Sequence, residues 1–98
     1  MTQLERDIER GLRRMVEQQG GLCLKWICPG WSGVPDRIIL LPGARILFVE
    51  TKRPNGGRAS KLQRWWADRL HALGFEHYWV RTQDDIYDLR ERIEEVIP

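Results

Sequence analysis

Gly33-Val34-Pro35-Asp36-Arg37-Ile38-Ile39-Leu40-Leu41-Pro42-Gly43-Ala44-Arg45-Ile46-Leu47-Phe48-Val49-Glu50-Thr51-Lys52 reads as two strands and the turn between them. Residues 36–41 and 45–52 are rich in apolar β-formers, and Pro42-Gly43 is a turn signal. A three-residue turn sets Leu41 opposite Arg45 and Leu40 opposite Ile46, and carries Asp36 opposite Glu50. A five-residue turn keeps that register; a two-residue turn breaks it. Side chains alternate along a strand, so Glu50 and Lys52 share a face with Ile46 and Phe48, while Thr51 points away. Two charged groups thus end an apolar row that we expect to be buried, where charges seldom lie without a partner or a task.

The flanking sequence supplies the rest of the domain. Leu4, Ile8, Leu12 and Met15 recur at helical spacing, so residues 3–18 form a helix. Thr2 and Glu5 match a capping box, and Gly20-Gly21 ends the helix. Residues 22–27 read as a strand, and Pro29, Gly30, Ser32, Gly33 and Pro35 as a loop. Arg53 to Arg58 forms a second loop. Ser60 opens a helix that runs to Leu73 and stops at Gly74. Residues 77–81 form a fourth strand, and a last helix follows Thr82 with Ile86, Leu89, Ile93 and Val96 along one side. The expected fold is an α/β domain of order αβββαβα around a four-stranded mixed sheet, one domain over residues 1–98.

Composition narrows the classes. The chain has 98 residues, 42% of them hydrophobic and 31% charged, with no run long enough to span a bilayer. Its first residues lack the apolar segment of a signal peptide, so the expected location is intracellular. Cys23 and Cys28 are too few for a disulfide framework, and neither they nor His71 and His77 have zinc-ligand spacing; all four read as structural. A net charge of +2 does not by itself call for a polyanion. Arg53, Arg58, Lys61 and Arg64 nevertheless follow one another with no acid between them, which suits either a solvated surface or a phosphate-binding patch.

Two carboxylates facing each other repel. A hard divalent cation resolves the repulsion, since Mg²⁺ usually takes one or two protein carboxylates and fills its shell with water and phosphate. A neighbouring lysine suits a phosphate oxygen or the attacking water. An ion pair at the sheet edge fits Asp36, Glu50 and Lys52 equally well on geometry alone. Glu5 lies about 100° round the first helix from Leu4 and about 20° from Leu12, at the flank of the apolar arc. It is either the partner of Thr2 in a cap or a third carboxylate near the cation. Gln63 is similarly divided between capping with Ser60 and bonding into the site.

These residues resemble the PD-(D/E)xK nuclease signature, here Pro35-Asp36 and Glu50-Thr51-Lys52. The wider context resembles the virus-type replication-repair nuclease (VRR-NUC) family. That context is Glu5-Arg6-Asp7-Ile8-Glu9 on a first helix, Gly33-Val34-Pro35-Asp36-Arg37, Phe48-Val49-Glu50-Thr51-Lys52, and then Gln63. The likeness runs from about Leu4 to Asp88 and is to small, stand-alone members such as those of bacteriophages. Thr51 departs from the family, which often has a larger apolar residue there. The resemblance implies a restriction-endonuclease-like core and phosphodiester hydrolysis with Mg²⁺ or Mn²⁺. It implies Asp36, Glu50 and the Thr51 carbonyl as metal ligands, Glu5 as a contributor through water, Lys52 acting on the attacking water, and Gln63 completing the site. It further implies DNA as substrate, with four-way junctions cut by a homodimer as in Holliday-junction resolvases. Arg53, Arg58, Lys61 and Arg64 would hold phosphates. Trp31, Trp65, Trp66 and Trp79 are candidates for the dimer contact, Trp66 being better suited to the core.

Overall fold

The computed structural model describes residues 5–52 and 58–95. The element order is α1 (Glu5–Gln18), β1 (Leu22–Lys25), β2 (Arg37–Leu41), β3 (Arg45–Thr51), α2 (Lys61–Ala72), β4 (Glu76–Val80) and α3 (Gln83–Glu94). This is the expected αβββαβα order, with each strand boundary within two residues of its expected place. Val96, Arg53 and the Thr2 half of the first cap lie outside the described residues.

The four strands make one sheet in the order β1-β2-β3-β4. The first three are antiparallel neighbours and β3 pairs with β4 in parallel, as the α2 crossover between them requires. The β2–β3 ladder runs from Leu41↔Arg45 to Arg37↔Val49, the register of a three-residue turn. Gly43 and Ala44 take positive φ within that turn.

The two faces of the sheet are covered unequally. On one face α1 and α3 close a core of Ile8, Leu12, Val16, Ile86 and Leu89 against Ile39, Leu47, Val49 and Val80. On the other, α2 packs chiefly on β4 and leaves β1 and much of β2 bare. This corrects one expectation about β3. Leu47, Val49 and Thr51 are buried throughout, and on the row of Glu50 Phe48 is buried as expected, but Ile46 is 38% exposed. Two helices cover the first row and only part of one helix reaches the second.

Both later helices start at capping boxes, Ser60 with Gln63 and Thr82 with Asp85. Gly33 ties the β1–β2 loop to α2: it has φ +79°, and a Cβ there would lie 2.6 Å from the Leu62 side chain. The loop that delivers Asp36 is thereby pressed against the first turn of the helix that delivers Gln63.

Candidate active site

Asp36 precedes β2, and its backbone oxygen accepts from the Trp26 N–H at 2.8 Å, which extends the β1–β2 pairing by one step. One further step of the β2–β3 register sets Asp36 opposite Glu50. The Asp36 carboxylate is held through Oδ2, which accepts from both the backbone N–H and the hydroxyl of Thr51, each at 3.0 Å. Thr51 is thus an anchor. Its side chain points off the Glu50 face as expected, yet it positions Asp36 from behind.

Glu50 is 1% exposed. Its Oε1 accepts from Gln63 Nε2 at 3.2 Å, while Oε2 is buried with no hydrogen-bond partner among the described residues. Burial, then the charge of Asp36 beside it, pushes the Glu50 carboxyl up to about 8; Glu5 adds to the rise and Lys52 opposes it. Gln63 fills both roles that its sequence allowed. Its Oε1 accepts from the Ser60 N–H at 2.9 Å, and its amide reaches Glu50. Lys52 follows β3 and is half-buried, with its backbone N–H donating to Val80 O at 2.9 Å. Asp36, Glu50, Lys52, Gln63 and Glu5 therefore converge on one end of the sheet.

A buried carboxylate oxygen without a partner, set beside a second carboxylate, is an arrangement that a hard cation would complete. Among the described residues no three His, Cys, Asp or Glu side chains close a metal cage by themselves.

One participant escaped the sequence reading. Glu9 Oε1 lies 3.2 Å from the Thr51 hydroxyl, and its Oε2 pairs with Arg37 at 3.1 Å. A single hydroxyl proton serves either Asp36 or Glu9 at one time. The signal was present: Glu9 follows Glu5 by four residues and so shares its side of α1.

Arg58, Lys61 and Arg64 are exposed and none makes an ion pair among the described residues; Arg53 is outside them. Lys61 lines an open groove of about 660 Å³ with Trp31, Leu62, Trp65 and Trp66. Trp66 sits inside it, edge-on to Trp31 and Trp65, and donates from Nε1 to Ser32 O at 2.9 Å. Trp31 and Trp65 are exposed, and Trp79 is half-buried across from Glu50. Cys23 and Cys28 are free thiols, and His77 is half-buried beside Trp79, its pKa lowered by partial burial.

A solved structure described as "VRR_NUC domain" superimposes with a TM-score of 0.84 at 28% identity, covering 89% of this chain and 94% of that one. A protein of Acyrthosiphon pisum secondary endosymbiont phage 1, described as "Putative nuclease p44", is 40% identical over 80 residues, 82% of this chain and 85% of the relative. No family model matches the chain. Fold and relatives together define a nuclease of the PD-(D/E)xK class. Within that class, the chain belongs to the VRR-NUC family.

Proposed function

We propose that this nuclease hydrolyses DNA phosphodiester bonds with Mg²⁺ or Mn²⁺ held by Asp36, Glu50 and the Thr51 carbonyl, Glu5 contributing through water. The observation that carries the reading is the buried, unpartnered Oε2 of Glu50 beside Asp36. A divalent cation there supplies charge neutralisation and a more acidic attacking water. The residues of the chain do the rest. Thr51 fixes Asp36, and Gln63 fixes Glu50 through one oxygen so that the other stays available. Lys52 orients the water and offsets charge that builds on the phosphate. Arg53, Arg58, Lys61 and Arg64 hold the strand without reading its sequence. The products are a 5′-phosphate and a 3′-hydroxyl. The place of action we favour is the inside of a bacterial cell, in keeping with the phage origin of the relative. Among the described residues no helix is long and apolar enough to cross a membrane.

The substrate we favour is a four-way junction, cut by a homodimer whose two-fold symmetry matches that of the branch. Support comes from the uncovered side of the sheet. Leu22, Leu40 and Ile46 form one row across β1, β2 and β3, with Leu22 55% exposed, and Leu24 and Phe75 are exposed as well. Contiguous exposed apolar surface of this kind marks association sites. It is a better dimer surface than the tryptophans that the sequence suggested.

The test incubates the protein and its Lys52→Ala variant with labelled four-way junction, flap and linear duplex in Mg²⁺, Mn²⁺ or EDTA, alongside a measurement of mass in solution. Paired symmetric nicks made by a dimer, and lost with EDTA and with Lys52→Ala, support the full reading. Cutting of flaps or duplex by a monomer keeps the chemistry and reassigns the substrate. DNA binding with no cutting in either metal rejects the catalytic reading.

A further inference from the structure

On the side of the sheet away from α2, and outside the carboxylate site, lies a second concentration of charge. Arg6, Arg10 and Arg13 follow one another on α1 at spacings of four and three residues, so they share one helix face. With Arg37 and Glu9 they line a pocket of about 250 Å³. Four guanidinium groups meet one carboxylate there. That carboxylate is already engaged, by Arg37 at 3.1 Å and by the Thr51 hydroxyl at 3.2 Å. Arg37 Nε is buried and has no hydrogen-bond partner among the described residues. Cationic donors gathered with this little compensation fit an anion, and guanidinium forks match phosphate oxygens two at a time.

The pocket adjoins the reaction centre. Arg37 follows Asp36 directly, and Glu9 reaches Asp36 through a single residue, Thr51. We propose that the Arg6, Arg10, Arg13 and Arg37 pocket binds a phosphate of the DNA strand other than the one being cut. A strand held there and at the carboxylates is fixed at two points, and the second point sets which bond faces Glu50. The proposal rests on the nuclease reading and adds a contact on α1 that the basic run 53–64 does not provide. The phosphate is either an internal diester or a terminal monoester, and both share this recognition chemistry.

The experiment measures binding of labelled duplexes, with and without 5′-terminal phosphates, in EDTA so that no cutting occurs. Wild type, the Arg6→Ala/Arg10→Ala double variant and Arg90→Ala on α3 are compared across a salt series. Arg6 and Arg10 are exposed, so the fold does not depend on burying them. The double variant is expected to bind about tenfold more weakly, with the slope of log K against log[salt] smaller by about 1, while Arg90→Ala matches wild type. Loss on both duplexes assigns an internal diester; loss only on the phosphorylated duplex assigns the terminal group. Wild-type affinity and slope in the double variant on both duplexes would overturn the pocket and leave the active-site reading standing. A wild-type protein that fails to bind DNA would overturn both.

Discussion

The two faces of the sheet use the same strands to opposite ends. Along β3, Leu47 and Val49 go into the core that α1 and α3 seal, while Ile46, Phe48 and Glu50 go to the side that α2 only partly covers. Apolar area removed from water contributes roughly 25 cal/mol per Å², so the sealed face holds most of the stability. The partly open face tolerates a buried acid with one unsatisfied oxygen, which a sealed apolar core would not. Thr51 joins the two, lying in the sealed row and bonding to Asp36. The stable face thus serves as the template on which a destabilised carboxylate pair is held in place.

Truncating adjacent residues of β3 should separate the two faces by the largest margin. Leu47→Ala should cost about 2–5 kcal/mol in urea unfolding, and Ile46→Ala under about 1 kcal/mol. Equal losses would mean that both faces carry the fold. Lys52→Ala should cut turnover by about 10²–10³, the usual cost of removing a group that stabilises transition-state charge, with its melting temperature close to that of wild type. Collapse of melting temperature along with activity would make Lys52 a structural residue.

Thr51 sharpens the link between the faces. Thr51→Val keeps the shape and removes the hydroxyl from Asp36. Cleavage rate should fall about tenfold, the scale of a hydrogen bond to a charged group, and Thr51→Ser should restore it. If the valine variant cuts at the wild-type rate, Asp36 needs no such anchor.

The smallest effect is read in pH. Glu50 sits near 8 in the folded protein against an ordinary 4.5. Between those values the folded state holds a proton that the unfolded state has released, so stability falls as pH rises through that window. Melting temperature without metal should therefore drop between about pH 4.5 and 8, and Glu50→Gln should flatten the drop. Mg²⁺ or Mn²⁺ should restore stability most at the upper end. A melting temperature that climbs through the window would contradict the buried pair.

Much of this was legible because the register of one hairpin is set by a short turn. Once Leu41 opposed Arg45, Asp36 had to meet Glu50, and Pro35-Asp36 with Glu50-Thr51-Lys52 did the rest. Helix ends were legible where a single residue decides them, as at Ser60, Thr82 and Gly74. What the sequence hid depends on which helix covers which strand. Nothing in Ile46-Leu47-Phe48 says that α2 stops short of β1 and β2, so Ile46 is exposed while Phe48 and Glu50 on the same row are buried as expected. Glu9 and the arginines of α1 carried no role in the sequence, because only the packing of α1 beside Arg37 and Thr51 brings Glu9 to its partners.

Direct binding of Mn²⁺ to wild type and to Glu50→Gln at pH 7, with and without duplex DNA, bears hardest on the claim that the carboxylate pair is a cation site. Saturable binding to wild type is expected, accompanied by proton release from Glu50, and its loss in the variant. Saturable binding that survives Glu50→Gln, or none to wild type under either condition, would contradict it.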